Sequence, residues 1–320
     1  MREKLLSKAA LPRLLALTLT LALLLALTLT LAGCAQSASR GNTPSAGVSG
    51  GAPSASGTPG ISGASPESGA AAREPALLRA LIVDGAETGE LVLAGERGVY
   101  DIYLLDAASA PVFLDGERAD ASALRNGMTV EIAVSGDLTA ASPAELTGAV
   151  ESVSAHSLGT PENPGGTAYD LCGLYLQVLE DLWEKDPGLN GGAKYVSVDL
   201  SDAPGELSES AKFAVAWAFA RRHDAEPLTL GYDELAAQGY LADYGSEDAE
   251  RKAYYWDDGV LLRITAHKGA EDEVYSLPVL RFDAEKWRSP LGAYFFYDCT
   301  AIWPEFGTWS SYTVGAGMIS

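Results

Sequence analysis

The residues that could do chemistry in this chain are few. One stretch, Gly47-Val48-Ser49-Gly50-Gly51, matches the G-x-S-x-G pattern of a catalytic serine, but it lies in low-complexity sequence without the strand and helix that the pattern needs. The sequence has three histidines, His156, His223 and His267. No two of them are spaced as zinc ligands, and neither H-E-x-x-H nor C-x-x-C occurs. A glycine-rich phosphate loop ahead of a helix is also missing. We therefore predict no catalytic residue, no metal and no cofactor, and expect binding rather than catalysis.

The best candidates for a binding site are aromatic and lie near the C-terminal end. All six tryptophans follow residue 180. Residues two apart on a strand share a face, so Tyr294, Phe296 and Asp298 are expected on one face, with Trp303 on the neighbouring one. A cavity there would let a small ligand stack on the rings of Tyr294, Phe296 and Trp303 while Asp298 orients it. The alternative is that these rings only pack the core.

Two cysteines, Cys172 and Cys299, remain once the N-terminal Cys34 is set aside. Cys172 falls on a helical face with other apolar residues, and Cys299 falls on a strand face with aromatic ones. Both faces are expected to point into the core. The sequence leaves open whether the two thiols form a disulfide or stay reduced.

The N-terminus has the pattern of a secretory signal. Basic residues (Arg2, Lys4, Lys8, Arg13) precede the uncharged apolar run from Leu14 to Leu31. The run closes on Leu31-Ala32-Gly33-Cys34, which resembles the bacterial lipobox. That resemblance implies a diacylglycerol on the sulfur of Cys34 and removal of residues 1–33. The alternatives are a plain signal peptide or a retained membrane helix.

Charge narrows the classes of partner. The full chain has 22 basic and 43 acidic residues. Removal of the signal takes away four basic residues and one acidic residue, which leaves 18 against 42, a net charge of −24. Such a surface disfavours nucleic acid and flat docking on anionic lipid. The only membrane contact that we expect is the lipid on Cys34.

Residues 34–75 are rich in Ser, Gly, Ala and Pro and predict a disordered linker.

Residues 76–157 carry many short strand signals separated by turns such as Asp84-Gly85 and Asn126-Gly127, which predict a small all-β domain. The segment from Leu124 to Leu146, with Ser142-Pro143-Ala144-Glu145, resembles the OB-like modules of Gram-positive lipoproteins. Met128 and Ser142 depart from the usual Asp and Tyr. The resemblance implies an OB-like barrel and no particular activity.

Residues 168–320 predict an α+β domain with helices packed on an antiparallel sheet. Apolar residues from Leu171 to Trp183 recur at helical spacing. Ser208 can cap a second helix whose end, at Arg221 and Arg222, complements the helix dipole. Several strands follow. Their order and the closing stretch 307–314 resemble NTF2-like or cystatin-like domains.

Together these patterns favour a lipid-anchored protein at the extracytoplasmic face of a bacterial cell membrane. We expect its role to be binding, with a small ligand or an envelope protein as partner. Two alternatives stay open. One is an enzyme with a cavity in the C-terminal domain that uses Asp298 and nearby aromatics. The other is a purely structural component of the envelope.

Overall fold

The computed structural model describes residues 75–135, 142–146, 150–157, 170–245, 253–269, 279–302 and 311–320. The signal segment, Cys34, nearly all of the linker, and Trp303 lie outside these ranges, so the predictions made for them stay predictions. The same holds for the proposed boundary between the two folded domains. In the part of the chain that is described, no helix has the length and apolarity needed to cross a bilayer.

The first eight strands form one sheet. In chain order they are β1 (Ala76–Asp84), β2 (Glu90–Gly95), β3 (Ile102–Asp106), β4 (Val112–Leu114), β5 (Glu117–Ala119), β6 (Thr129–Val134), β7 (Ala144–Glu145) and β8 (Val150–Ala155). Their spatial order is β5-β4-β8-β6-β1-β2-β3-β7. Neighbours run antiparallel except the parallel pairs β3–β7 and β4–β8. One face buries a core of its own around Ile82, Leu93 and Ile132.

The region over residues 76–157 is mostly β, as predicted, but its sheet does not confirm a barrel. Strands β5 and β7 are its two edges, and within the described residues no ladder joins them. The sheet is therefore open.

Three α-helices follow in the part of the chain that is described: α1 (Leu171–Glu184), α2 (Glu209–Arg222) and the short α3 (Tyr232–Ala237). The predicted starts of the first two are confirmed by their caps. The Asp170 carboxylate accepts a hydrogen bond from the Gly173 N–H at 2.8 Å, and the Ser208 hydroxyl accepts one from the Ala211 N–H at 3.1 Å. Each cap satisfies a backbone donor that the first helical turn leaves unpaired.

A second sheet contains most of the remaining strands. These are β9 (Tyr195–Asp199), β10 (Glu226–Leu228), β13 (Gly259–Ala266), β14 (Val279–Ser289), β15 (Gly292–Ile302), β16 (Tyr312–Thr313) and β17 (Ala316–Ile319); β11 (Ala242–Asp243) and β12 (Tyr254–Tyr255) form a separate pair. The spatial order is β10-β9-β13-β14-β15-β16, and β17 also pairs with β15.

The expected antiparallel sheet is in fact mixed. Strands β13 to β17 pair antiparallel, but β9 runs parallel to both β10 and β13. The reason lies in the connection between β9 and β10, which contains helix α2. A helical crossover returns the chain to the same end of the sheet and makes neighbouring strands parallel.

Helices α1 and α2 lie between the two sheets. One hydrophobic cluster joins Val92 and Ile102 of the first sheet, Leu174 and Phe219 of the helices, and Phe282 of the second sheet. Each large apolar side chain that is fully buried stabilises the fold by about 1.5–3 kcal/mol. The β-rich region and the α+β region therefore share part of their core.

The second sheet is also covered on its outer face, although only in part. Helix α3 and the segments beside it pack Leu235 and Trp256 onto Leu261, Trp287 and Ala293. The indole N–H of Trp256 is buried, and no described residue accepts a hydrogen bond from it. Farther along the same strands, this outer face carries charged side chains such as Arg263 and Glu285.

A lysine, Lys286, lies fully buried on the inner face of strand β14. Its ammonium donates to the carbonyl oxygens of Trp183 at 3.0 Å and Asp186 at 3.2 Å, to that of Lys185, and to Asn190 Oδ1 at 3.1 Å. Burial lowers the pKa of this ammonium to about 8. The cation thus caps the carbonyl end of helix α1, where the helix dipole favours positive charge.

Candidate functional site

Of the four predicted pocket residues, the structure describes Tyr294, Phe296 and Asp298, and it does not place Asp298 with the other two. Tyr294 and Phe296 lie on the inner face of β15, with ring centroids 5.8 Å apart in an edge-to-face arrangement. Both belong to the core shared with helices α1 and α2. They pack the interior, which is the alternative that the sequence left open, and Trp303 lies outside the described residues.

Asp298 faces the other way because strand β15 contains a bulge. Phe282 pairs with Cys299 and Ala284 with Phe296, so Asp283 alone stands opposite two residues. Asp298 takes a left-handed backbone conformation with φ of 54°, which aspartate tolerates better than most residues. The extra residue reverses the alternation of faces beyond it. Cys299 therefore points into the core and Asp298 out of it.

Asp298 forms an ion pair in place of lining a cavity. Its carboxylate accepts from Arg281 Nε at 2.9 Å, and its side chain is 47% exposed. The hydrogen bond from Arg281 and the positive charges of Arg281 and His267 hold the pKa of Asp298 below its usual value. A general acid would need the opposite shift. These surroundings supply no support for Asp298 as a catalytic acid.

Cys172 and Cys299 are both buried free thiols in the shared core. Burial raises the pKa of the Cys299 thiol to about 12 and also raises that of Cys172. Such thiols are poor nucleophiles. A disulfide between the two cysteines in the mature protein stays one of the two predicted alternatives.

A different site lies where the first sheet meets the helices. It is a cleft of about 610 Å³, bounded by the β1–β2 hairpin, by helix α1 and by the end of helix α2. Ligand pockets in proteins typically measure about 300–1,000 Å³. The polar residues that line it are Asp84, Glu87, Thr88, Glu90, Asn126, Gln177, Glu180, Arg221 and Arg222, and its apolar side includes Val92, Leu176 and Trp217.

The hairpin wall of the cleft is set by its turn. Gly85 has φ of +87°, and a Cβ there would lie 1.9 Å from the carbonyl oxygen of Glu90. Only glycine fits both conditions. The next N–H, of Ala86, donates to Asn126 Oδ1 at 3.1 Å. This bond ties the hairpin to the Asn126-Gly127 turn beside it.

An ion-pair network closes the back of the cleft. Arg222 donates to Asp84 Oδ2 at 2.7 Å and to Glu180 Oε1 at 3.0 Å, and so links the first sheet to both helices. Burial works against its charge, but the carboxylates of Asp84 and Glu180 more than offset this and raise the pKa of Arg222 above its ordinary value. His223 Nε2 lies 2.9 Å from the other oxygen of Glu180. These charges compensate one another and hold the wall in place.

Three other charged groups of the cleft have no such compensation. Glu87 and Glu90 are exposed on the hairpin, and Arg221 is exposed at the end of α2. Among the described residues, none of the three forms an ion pair. The Arg221 guanidinium lies 5.2 Å from the centroid of the Trp217 ring, in a cation–π arrangement. These groups are available to a ligand.

One half-buried carboxyl, that of Asp170, stands close to the cleft. Burial raises the pKa of Asp170 to about 6, the hydrogen bond from the Gly173 N–H opposes this rise, and the negative charge of Asp84 adds to it. Asp170 is a helix cap, and no nucleophile or base partners it in the described part of the chain. Within those same residues, no group of three or more His, Cys, Asp or Glu side chains could hold a metal ion.

Sequence reasoning missed this cleft because its parts carry no joint local pattern. By itself, Asp84-Gly85 predicts only a turn, and Arg221 with Arg222 predicts only a complement to the helix dipole. Their assembly depends on the packing of two helices against the first sheet. Comparison with known proteins adds no assignment, since no family model, no curated protein and no solved structure matches this chain.

Proposed function

We propose that this chain is a lipid-anchored, extracytoplasmic binding protein that holds a ligand in the cleft between the β1–β2 hairpin and helices α1 and α2. The cleft carries the proposal, because it is of ligand size and presents uncompensated charge. Arrangements that would support catalysis, such as a nucleophile hydrogen-bonded to a base, are not among its lining residues.

The anchor is the second part of the proposal. It rests on Leu31-Ala32-Gly33-Cys34 and on the uncharged apolar run before it. Acyl chains on one cysteine can hold a protein stably at a bilayer, because each buried methylene contributes about 0.8 kcal/mol. The protein would then work at the outer face of the cell membrane.

We also propose an OB-like relationship for the first sheet and an NTF2-like or cystatin-like relationship for the second. The eight-stranded sheet supports an OB-like relationship only through its many short strands and turns. The antiparallel part of the second sheet, packed on α1 and α2, is the feature that supports an NTF2-like or cystatin-like relationship. Neither assignment is needed for the proposed binding role.

The anchor is tested with Cys34→Ala. We expect the variant to stay uncleaved and without lipid, because the modified sulfur is gone. Intact-protein mass spectrometry of the membrane fraction would measure this. Normal maturation of the variant would refute the anchor without touching the cleft.

Ligand binding is tested with a variant that fills the cleft. Gln177 is exposed on helix α1 and lines the cleft, so Gln177→Trp should block it without disturbing the core. Glu184→Trp, at an exposed position of the same helix outside the cleft, is the matched control. The probes are the standard amino acids, their dipeptides with alanine, and simple sugars.

The readout is the melting temperature of the mature full-length protein in detergent. A ligand at a hundred times its Kd stabilises the folded state by about 2.7 kcal/mol. We expect at least one probe to raise the melting temperature of the wild type and of Glu184→Trp, but not of Gln177→Trp. A rise that Gln177→Trp shares would place the binding elsewhere and refute the cleft.

A further inference from the structure

The cleft continues at one end into a smaller depression. This depression, of about 230 Å³, shares Glu90 and Arg221 with the cleft and adds the acidic residues Asp106 and Glu145. Its floor is made by strands β2 and β3, which contribute leucines. The binding surface therefore extends past the end of helix α2 along the first sheet.

A second depression continues the cleft at its other end. It measures about 300 Å³, shares Glu87 and Asn126 with the cleft, and adds Arg125 and Asp170. We call the cleft and these two depressions together the groove. Three linked hollows of this kind suit a chain-like ligand better than a compact one.

Carboxylates outnumber cations along the groove. Its acidic residues are Asp84, Glu87, Glu90, Asp106, Glu145, Asp170 and Glu180, and its basic residues are Arg125, Arg221 and Arg222. Among the described residues, Glu87, Glu90 and Glu145 form no ion pair, and all three are exposed. The groove thus presents negative charge that a cationic ligand would complement.

The groove also presents donors. Arg221, the side-chain amide of Gln177 and the N–H₂ of Asn126 can each donate a hydrogen bond. A ligand that carries acceptors as well as positive charge would complement both kinds of group. A polyamine has no acceptors, whereas a peptide chain carries a carbonyl oxygen at every residue.

We propose that the ligand of the groove is an extended peptide segment with basic side chains. This inference rests on the proposed function, since it names the ligand class of the same site. Lys or Arg side chains of the peptide would meet Glu87, Glu90 and Glu145, and its carbonyl groups would meet Arg221 and Gln177.

The test compares three capped hexapeptides in which alanine alternates with lysine, serine or glutamate. Each is titrated calorimetrically into the mature full-length protein in detergent, at low and at high salt. We expect the lysine peptide to bind most tightly. Its affinity should fall as salt rises, because the groups involved are exposed and screened.

Matched variants show where the charge acts. In the double variant Glu87→Gln/Glu90→Gln, we expect the lysine peptide to bind about tenfold more weakly, because two exposed ion pairs with its lysines are lost. Glu117→Gln with Glu151→Gln removes two exposed carboxylates of the same sheet outside the groove. This control should bind like the wild type. Equal weakening in both double variants would mean that general charge, not the groove, attracts the peptide, and would overturn the inference.

The remaining outcomes separate the ligand class from the proposed function. If the serine or glutamate peptide binds as tightly as the lysine peptide, and Gln177→Trp abolishes that binding, the basic class is wrong while the binding role stands. If neither the hexapeptides nor the smaller probes show binding that Gln177→Trp abolishes, both the basic ligand class and the proposed binding role of the cleft are refuted.

Discussion

Replacement of Lys286 by methionine tests the packing that supports the whole fold. The wild-type ammonium is fully buried and donates to three main-chain carbonyls and to Asn190 Oδ1. Methionine has a similar length but no donor. Lys286→Met therefore leaves these acceptors unpaired at the end of helix α1.

Two opposing effects set the size of the change. A hydrogen bond to a charged group contributes about 1.5–3 kcal/mol, and an acceptor left unpaired costs a similar amount. Against this, the fall in the pKa of Lys286 from 10.5 to about 8 corresponds to about 3 kcal/mol that disfavours the charged form. Methionine escapes that penalty. We expect a net loss of about 2–4 kcal/mol in the free energy of unfolding at pH 7.

The pH dependence gives a sharper result. Below pH 8 both the folded and the unfolded states hold the proton of Lys286. Between pH 8 and 10.5 the unfolded state holds more of it, because the folded-state pKa is the lower one. The free energy of unfolding then rises with pH by about 1.4 kcal/mol per unit from this group. The gap between the wild type and Lys286→Met should thus widen by about 2 kcal/mol from pH 7 to pH 10.

Urea denaturation followed by circular dichroism measures both quantities. The difference between the two proteins at each pH cancels the titration of all other groups. Lys194→Met is the control, because the Lys194 side chain is 74% exposed and should matter by less than about 0.5 kcal/mol. A variant as stable as the wild type, or a gap that narrows toward pH 10, would refute the reasoning.

Two further substitutions test the hairpin wall of the cleft and the cap of helix α1 beside it. Gly85→Ala should lower the free energy of unfolding by about 2–4 kcal/mol, measured by urea denaturation, because a Cβ would lie 1.9 Å from the Glu90 carbonyl oxygen. Gly89→Ala is the control, since Gly89 has a similar φ but open space around it, and it should lower this free energy by only about 1 kcal/mol. Asp170→Asn keeps the helix cap but removes a carboxyl whose folded-state pKa is raised to about 6. As the pH rises from 4 to 7, the free energy of unfolding of the wild type should fall by about 2–3 kcal/mol relative to that of this variant. A difference between the two proteins that does not change with pH would contradict the raised pKa of Asp170.

Local patterns predicted the elements of this fold better than their assembly. The helix over Leu171–Glu184 follows from apolar spacing, and the start at Ser208 follows from capping chemistry, since both signals act within a few residues. The parallel pairing of β9 and the shared core between the sheets depend on contacts between distant segments. No sequence window contains that information.

Asp298 does not share a face with Tyr294 and Phe296, and the reason lies in one extra residue of strand β15. Strict alternation places Asp298 with Tyr294 and Phe296, but the bulge at Asp298 shifts every later side chain to the other face. The left-handed φ of Asp298 is permitted by its side chain without being required by it. The role of Lys286 could not be predicted from the sequence either, because it depends on the carbonyl end of α1, which lies against this lysine only in the folded protein.

The proposed cleft is tested most directly by hydrogen exchange of the mature full-length protein, measured by mass spectrometry with and without the lysine–alanine hexapeptide. The account predicts slower exchange in residues 85–90 and 217–222, which form facing walls of the cleft. Protection confined to the outer face of the second sheet, around residues 263–265 and 295–297, or no protection at saturating peptide, would contradict it.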